Sequence, residues 1–465
     1  MSVGDPRFPL APETGAADDS IGASASASTR RIVVIRLASL GLIFVGSIVL
    51  SRVLGPDGRG AHAFFVALTI LLAGVLGLSA PTGGYVLTTR HGVSAPALAA
   101  NAVWLSAMSG VLAVTVTVFL QAVFGFLPAP LASVPTWPLL VSVSVVGLTV
   151  NSHQLQLAFG GGRSIAGAVL SFGPYTIAAI GYLALPATGG GLAAALWVFA
   201  LSPYAVAVAA AVVRPRLSVV SFGRPHPRLA LRSIREGLRT YPGELAAMLH
   251  RRADVLLLGI LAPAATVGVY VVAYQSVEPI LILASAGGAT ILALGHGRPE
   301  VERGEVTAKL IRETLLVGGL LAVLAAVLAP WLVPLVYGQD FADSVVPLLI
   351  LLPGIVAFSC GRIAMADLMR RNMLERMAAI LVAVTVLNVG LNLALIPLFG
   401  AVGAAVASLI SYSMHGALAI GTAARAGGFH VSVLVPGRTD IAALLVAWHP
   451  RAIVDLASRA RRRER

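Results

Sequence analysis

The sequence predicts an all-α membrane protein that crosses the bilayer about twelve times. Of its 465 residues, 57% are hydrophobic and only 11% are charged, and the mean hydropathy is +0.89. Many apolar runs reach the roughly 20 residues that a helix needs to cross the hydrocarbon, and they are too numerous for the core helices of a soluble domain. We therefore expect a multi-pass protein of the cytoplasmic membrane.

The apolar segments begin after a polar N-terminal stretch. Residues 1–29 are rich in Gly, Ala, Ser, Asp and Pro and lack periodicity, so we expect a disordered cytoplasmic tail and not a secretory signal. Residues 424–465 contain an apolar stretch that is too short to span and end in a basic run, which is typical of a membrane-surface helix or a disordered tail. Between the tails, the predicted spans are 32–54, 63–86, 98–126, 136–158, 164–185, 189–213, 243–262, 267–295, 311–335, 345–367, 377–397 and 400–423.

The distribution of basic residues sets the orientation of these spans. With a cytoplasmic N-terminus, most of the 33 Lys and Arg residues fall in the tails, in cytoplasmic loops or at inner span ends. Only Arg52 and Arg59 fall on the outer side, as the positive-inside rule requires. An even number of spans then places the C-terminus in the cytoplasm as well. The net charge of +13 thus reflects membrane orientation, and we expect no nucleic-acid partner.

The longest loop between spans, residues 214–240, is strongly basic and divides the chain into two sets of six spans, 30–213 and 241–423. Contact with anionic lipid headgroups is the favoured role of this cytoplasmic linker. Capture of a phosphorylated substrate is the alternative.

The two halves are similar to each other in sequence. The aligned segments are VLGPDGRGAHAFFVA (53–67) with ILAPAATVGVYVVAY (260–274), allowing one inserted residue, and LPATGGGLAAAL (185–196) with IPLFGAVGAAVA (396–407). They align Gly60 with Gly268, and Gly189 with Gly400. Because both halves start on the cytoplasmic side, they are parallel repeats related by an axis along the membrane normal, an arrangement that commonly encloses a central site.

Three charged residues, Arg251, Arg252 and Asp254, lie near the middle of the seventh predicted span. A charge at that depth costs at least a few kcal/mol unless it faces a cavity or a partner. Arg251 and Asp254 share one helix face, since they are three residues apart. They form either a structural pair that ties helices together or a holder for a diphosphate or sugar acid, whose oxygens suit a guanidinium fork.

Four further residues complete the set of candidate cavity residues. Tyr274 and Glu278 share one face of the eighth span, where Glu278 is expected to pair with a buried Arg or to bind a coupling proton. Arg36 and Arg362 each lie one turn inside a span, and either line the cavity or extend to headgroups. Polar residues that either line a path or join helices are Asn101, Asn151, His153, Gln154, Gln156, Asn388 and Asn392.

The sequence predicts no catalytic residue, no metal site and no cofactor. Lys309, the sole lysine, follows Ala308, so a GxxxxGK[ST] phosphate-binding loop is excluded. Cys360 is the only cysteine, and no two histidines are four residues apart, which excludes a multi-cysteine metal site and an HExxH zinc helix. Short outer loops argue against a glycosyltransferase or polymerase. We therefore expect a protein that is not an enzyme.

Five motifs in order carry a family resemblance over about residues 30–425. They are LGPDGRG (54–60), DVLLLG (254–259), VGVYVVAY (267–274), LVYGQDF (335–341) and NVGLNLALIPLFGAVGAAVAS (388–408). The chain resembles the polysaccharide-biosynthesis flippases of the multidrug/oligosaccharidyl-lipid/polysaccharide exporter superfamily. The resemblance implies two six-helix bundles around a central, often cationic cavity. It also implies transport of a polyprenyl-diphosphate-linked oligosaccharide between leaflets, with membrane lipids and glycan-assembly proteins as partners.

The resemblance covers the Asp254 motif, and the arginine roles are inferred from the charges of this sequence: Arg251 and Arg252 would hold the anionic headgroup, positioned by Asp254 and Glu278. A peptidoglycan-precursor flippase and a multidrug or cation antiporter of the same fold are the alternatives. A cationic substrate requires a carboxylate in the cavity, and the sequence has no acidic residue between Asp57 and Glu236. This acid-free first half favours an anionic lipid headgroup.

Overall fold

The computed structural model describes residues 20–213, 224–293, 300–435 and 437, and these are almost entirely helical. Most of the predicted N-terminal tail, the first ten residues of the linker and the predicted membrane-surface helix with its basic end lie outside the described residues. The α-helices of the described residues are α1 Ser20–Gly77, α2 Ala80–His91, α3 Ala95–Phe124, α4 Ala129–Ala132, α5 Trp137–Gly160, α6 Ser164–Leu183, α7 Leu185–Thr188, α8 Leu192–Val213, α9 Pro227–Gly237, α10 Tyr241–Leu261, α11 Ala264–Val277, α12 Leu281–Ala293, α13 Glu300–Tyr337, α14 Val345–Arg370 and α15 Leu374–Gly427.

Helix α1 consists of two arms that meet at Gly55. A straight helix of its 58 residues would be about 87 Å long, which is about three times the thickness of the membrane hydrocarbon. Gly55 has φ 65° and ψ −178°, a conformation that only glycine adopts without strain. Two hydrogen bonds show that the chain turns back there: Arg59 donates to Ser51 Oγ at 3.2 Å and to Ser47 Oγ at 3.4 Å. In a straight helix Ser47 would lie about 18 Å from Arg59 along the axis.

Helix α15 has the same construction at its own glycine. Gly400 has φ 53° and ψ −126°, and it separates the residues of the last two predicted spans. A Cβ on Gly403 would collide with the carbonyl oxygen of Leu395, so the two arms touch at backbone distance. Gly189, which the sequence aligns with Gly400, also has a left-handed φ, of 63°. The aligned glycines thus share a positive φ, although their ψ angles of 22° and −126° differ.

Seven helical stretches among the described residues are long and apolar enough to cross a membrane. The first of them is part of the kinked helix α1 and the last is the kinked helix α15. Each is long enough to cross the membrane twice. The prediction of a multi-pass, all-α membrane protein is confirmed, whereas the total of twelve spans stays a prediction. The stretches are Ile35–Gly77, Ala95–Phe124, Ser164–Leu183, Leu192–Ala210, Arg303–Tyr337, Gln339–Arg370 and Leu374–Gly427.

The chain forms two compact units. The first unit contains Met1–Val272, Leu332–Ser344 and Val389–Ala404. In it α1 packs against α6 and α10, α3 against α5, and α2 against α9. Helix α10 and the start of α11, which open the predicted second half, thus belong to this unit.

The second unit contains Ala273–Trp331, Val345–Asn388 and Ala405–Arg465. Its α12 packs against α14. Its core includes the fully buried side chains of Ile363 and Val384.

Helices α1 and α11 approach at backbone distance within the first unit. A Cβ on Gly60 would collide with the carbonyl oxygen of Ala264, and a Cβ on Gly268 would collide with that of Pro56. Gly60 and Gly268 are the pair that the sequence aligns between the two halves. Such a reciprocal contact between aligned residues is what a two-fold axis relating two parallel repeats produces.

Candidate functional site

A cavity of about 290 Å³ lies within the first unit, among α1, α2, α5, α6 and α10. Its volume is near the lower end of the roughly 300–1,000 Å³ of small-molecule sites. Much of its wall is polar but uncharged. Hydroxyl and amide groups reach the wall from Thr82, Asn151, Ser152, Gln156, Ser171 and Tyr175.

Asn151 offers the cavity an unused hydrogen-bond acceptor. Its Nδ2 donates to the carbonyl oxygen of Leu170 at 3.1 Å, which fixes the orientation of the amide. Its buried Oδ1 has no hydrogen-bond partner among the described residues. A buried acceptor left unpaired costs about 1–3 kcal/mol, so a ligand hydroxyl that donates to it would be favoured.

The other candidate polar residues divide between the cavity and helix contacts. Gln156 lines the cavity as Asn151 does. Asn101 instead joins α3 to the segment before α9, because it accepts from the His226 backbone N–H at 2.7 Å and donates to the His226 carbonyl oxygen at 3.3 Å. In the second unit Asn388 donates to Ser411 Oγ at 2.9 Å. Both roles foreseen from the sequence therefore occur.

Glu244 is the charged member among the lining residues of this cavity. The Ser79 hydroxyl donates to Glu244 Oε2 at 2.7 Å, and the Thr82 and Thr240 hydroxyls donate to Oε1 at 2.8 and 3.2 Å. Glu244 lies in the first turn of α10, where the helix dipole stabilises a carboxylate. The candidate residues from the sequence do not include Glu244.

The junction between α1 and α2 is strained beside this carboxylate. Leu78 and Ser79 have φ of 48° and 49°, in the left-handed region that costs a non-glycine residue of order 1 kcal/mol or more. The Ser79 hydrogen bond to Glu244 holds the junction against α10.

Helix α10 continues from the cavity to the arginines predicted from the sequence. Met248, one turn after Glu244, lines the cavity, and a Cβ on Gly74 of α1 would collide with its thioether. Arg251 and Arg252 follow one further turn along, about 5 Å beyond Met248. Arg251 is exposed and Arg252 is half-buried. The two arginines thus lie just past the cavity on the same helix.

Asp254 is anchored by a tyrosine. It is buried, with 3% of its surface exposed. It accepts a 2.5 Å hydrogen bond from Tyr270 Oη of α11 and a 2.8 Å bond from the Val255 backbone N–H. The sequence left open a structural pair of Asp254 with Arg251, but among the described residues its hydrogen-bond partner on a neighbouring helix is Tyr270.

The remaining candidates lie on α1 and in the second unit. The Arg36 guanidinium is exposed and lies 5.2 Å from the ring centroid of Phe172, in a cation–π contact between α1 and α6. Tyr274, Glu278 and Arg362 belong to the second unit. Tyr274 is half-buried, Arg362 is exposed, and Glu278 is exposed at the start of the 3₁₀ turn Glu278–Ile280, which follows α11.

A buried network around Arg59 escaped the sequence-based predictions. Arg59 is only 4% exposed, although the motif after Gly55 is typical of an outer loop. Its Nη1 lies 3.5 Å from His62 Nδ1, and His62 Nε2 lies 2.9 Å from Tyr182 Oη. Helix resumes directly after Gly55, so Arg59 enters the packed interface of α1 and α6 instead of remaining in a loop. The predicted bounds leave residues 55–62 between two spans, whereas the structure has Arg59 in helix α1; its place on the outer side stays a prediction.

Comparison with a family model gives a match over more than half of the chain. The model for polysaccharide biosynthesis proteins matches residues 27–291. A comparison with curated proteins returns no significant match.

Several solved transporter structures share the fold. An inward-facing multidrug resistance MATE family transporter of the MOP superfamily has a TM-score of 0.64 at 17% identity, covering 86% of this chain and 98% of that one. The lipid II flippase MurJ, in an inward closed conformation, has a TM-score of 0.71 at 11% identity, with 87% and 89% covered. A MOP superfamily transporter from Pyrococcus furiosus has a TM-score of 0.56 at 16% identity, with 88% and 96% covered. The matched family and the shared fold together show that the chain belongs to the polysaccharide biosynthesis protein family and has the fold of MOP superfamily transporters, as its sequence motifs predict.

Proposed function

We propose that this protein is a flippase that moves a polyprenyl-diphosphate-linked oligosaccharide from the inner to the outer leaflet of the cytoplasmic membrane. The observation that carries the proposal is the placement, along α10, of a largely uncharged polar cavity followed by Arg251 and Arg252 one turn beyond it. Sugars present many hydroxyls, and a diphosphate presents anionic oxygens. The two parts of this site match the two parts of such a substrate.

The cavity suits the sugar. Hydroxyl and amide groups line it, and the Asn151 Oδ1 acceptor is unpaired among the described residues. Tyr175 adds an aromatic side chain that can pack against a sugar ring. Because few of these groups are charged, neutral hydroxyls can exchange their water for protein partners at little cost.

Arg252 suits the diphosphate. It is half-buried on α10. Its guanidinium carries five N–H donors, which suit phosphate oxygens. Asp254, fixed by Tyr270, lies two residues further along the same helix and would position Arg252. Arg251 on the same helix supplies a second cation.

Four further residues belong to the proposed transport path by the same reasoning from charge in the membrane. Arg36 and Arg362 would attract the headgroup, while Tyr274 and Glu278 would contact it or position a cation. They contribute less directly than α10 does, because α10 adjoins the cavity. Membrane lipids and glycan-assembly proteins are the proposed partners.

The proposed architecture has twelve spans in two six-span bundles with both termini in the cytoplasm. The reciprocal contact of Gly60 and Gly268 and the shared left-handed φ of Gly189 and Gly400 support the repeat. The proposed segments are a tail 1–29, a first bundle 30–213, a linker 214–240, a second bundle 241–423 and a basic tail 424–465.

Removing the polar lining of the cavity tests the sugar site. We expect Asn151→Leu and Gln156→Leu each to reduce glycan export about fivefold to tenfold, because each deletes a hydrogen-bonding group worth about 1 kcal/mol. Surface glycan and lipid-linked intermediate are measured in cells that depend on this protein. Gln339→Leu, the same exchange at an exposed residue outside the cavity wall, is the control. Export at the wild-type rate in both cavity variants would argue against a sugar site here.

Two alternatives share the fold. A peptidoglycan-precursor flippase would carry a substrate of the same chemical plan, and the likeness to the lipid II flippase MurJ is compatible with it. A cation antiporter is favoured by one specific observation, the Glu244 carboxylate in the cavity. The acid-free first half had counted against an antiporter, but α10 supplies an acid to a cavity built mainly from first-half helices.

Glu244→Gln separates the flippase from the antiporter. If the substrate is an anionic lipid, we expect export to fall by less than about threefold, since the amide oxygen still accepts hydrogen bonds from the surrounding hydroxyls. If the protein exchanges cations, the loss of the carboxylate should abolish drug efflux or cation uptake, while Arg252→Gln should leave it intact. Both transport assays are run on both variants, so opposite patterns identify the two functions.

A further inference from the structure

Helix α9, Pro227–Gly237, has two opposite faces with different tasks. Leu229, Ser233 and Gly237 are buried, and they recur at four-residue spacing along one face. Arg228, Arg232 and Arg235 are exposed and fall within about 60° of one another around the axis. The centres of the two faces are about 140° apart. One face thus attaches α9 to the protein, and the other presents a row of guanidinium groups.

The buried face is fixed to α2 at backbone distance. A Cβ on Gly83 would collide with the carbonyl oxygen of Ser233, and a Cβ on Gly237 would collide with that of Ser79. Leu229 packs with Leu87 in the same core cluster. Contacts at three successive levels align α9 antiparallel to α2. The arginine row is therefore held in a fixed orientation relative to α2.

Apolar side chains flank the arginine row. Leu231 is 67% exposed and Leu238 is 47% exposed. They are seven residues apart and hence on nearly the same side of the helix. Exposed leucines beside a row of arginines are typical of helices that lie at the boundary between headgroups and acyl chains, where leucine meets lipid and arginine meets phosphate.

We propose that the arginine row of α9, formed by Arg228, Arg232 and Arg235, is a binding surface for the anionic phospholipid headgroups of the inner leaflet. The charge complementarity and the flanking leucines identify the partner as a lipid surface, and the proposal does not depend on which substrate the protein transports. Each arginine near such a surface strengthens association about fivefold, an effect that salt screens.

Lipid binding at α9 has a direct route to the cavity. Gly237 contacts the Ser79 backbone, and the Ser79 hydroxyl donates to Glu244 in the cavity wall. Headgroups bound along α9 would hold α2, Ser79 and the start of α10 in one arrangement. Anionic lipid is thus placed to stabilise the inner end of the cavity.

An environment-sensitive fluorophore at position 231 tests the proposal. Leu231→Cys is introduced into full-length protein carrying Cys360→Ala, and the labelled protein is placed in vesicles of phosphatidylcholine alone or with phosphatidylglycerol. We expect a blue-shifted emission and lower access to aqueous iodide in the phosphatidylglycerol vesicles, both reversed by high salt. This comparison uses protein with all three arginines intact. Equal emission and equal quenching in the two vesicle types would overturn the proposal.

Arginine variants and a soluble anion complete the test. The triple variant Arg228→Gln/Arg232→Gln/Arg235→Gln should lose the lipid-dependent shift, whereas Lys309→Gln/Arg376→Gln/Arg425→Gln, with the same change in charge at exposed residues of the second unit, should keep it. Inorganic pyrophosphate should leave the signal in phosphatidylcholine vesicles unchanged. A pyrophosphate-induced shift there would instead assign the row to a phosphorylated substrate and contradict the lipid surface.

Discussion

Replacing Arg252 with glutamine is expected to reduce export of the lipid-linked glycan by about tenfold to a hundredfold, the equivalent of one charge-assisted hydrogen bond at about 1.5–3 kcal/mol. The fold should be spared, because Arg252 is only half-buried and the hydrogen bond between Asp254 and Tyr270 is left in place. The measurement is the amount of lipid-linked oligosaccharide that accumulates on the inner leaflet, together with surface glycan, at equal protein level.

Two controls define what Arg252 contributes. Arg252→Lys keeps the charge but loses the planar fork, so we expect an intermediate rate. Arg376→Gln removes an exposed arginine of the second unit and should export normally. Wild-type export by Arg252→Gln would show that the arginine does not contact the substrate.

Adding a methyl group to Gly60 or Gly268 is expected to remove most of the folded protein from the membrane. The new Cβ would meet a carbonyl oxygen of the facing helix in each case, and backbone cannot move aside as a side chain does. Overpacking costs about 1–3 kcal/mol even where side chains can adjust. Size-exclusion profiles and thermal stability of Gly60→Ala and Gly268→Ala in detergent provide the measurement.

The same experiment has a matched control in α15. Gly390 has no atom within 4 Å of a built Cβ, so Gly390→Ala should behave as the wild type. Because Gly60 and Gly268 are aligned by the repeat and contact each other's segments, their variants should lose stability to a similar extent. If Gly60→Ala were as stable as Gly390→Ala, the close approach of α1 and α11 would be contradicted.

Most of the helical architecture follows from local sequence. Membrane helices must satisfy their own backbone groups, so an apolar run of sufficient length fixes a helix wherever it occurs. The turns at Gly55 and Gly400 were also predictable, since each predicted boundary falls at a glycine that the structure shows with positive φ. Both the helices and these two turns depend only on residues that are close together in the sequence.

The site was less predictable because it depends on residues far apart in sequence. Glu244 meets Ser79, which lies 165 positions earlier, and no periodicity in either segment signals that contact. The partner of Asp254 was missed for a related reason: a charge inside a span suggests an opposite charge, yet a buried Tyr270 hydroxyl serves the carboxylate. The burial of Arg59 was missed because a Gly- and Pro-rich motif between two predicted spans resembles an exposed loop.

Translocation by the purified protein tests the central claim most directly. A fluorescent polyprenyl-diphosphate oligosaccharide is placed in the inner leaflet of vesicles that contain the protein, and its appearance in the outer leaflet is followed with a membrane-impermeant quencher. We expect transfer well above that in protein-free vesicles with the wild type and a large loss with Arg252→Gln. Transfer no faster than in protein-free vesicles, or equal transfer by wild type and Arg252→Gln, would contradict the assignment of this site to a lipid-linked glycan.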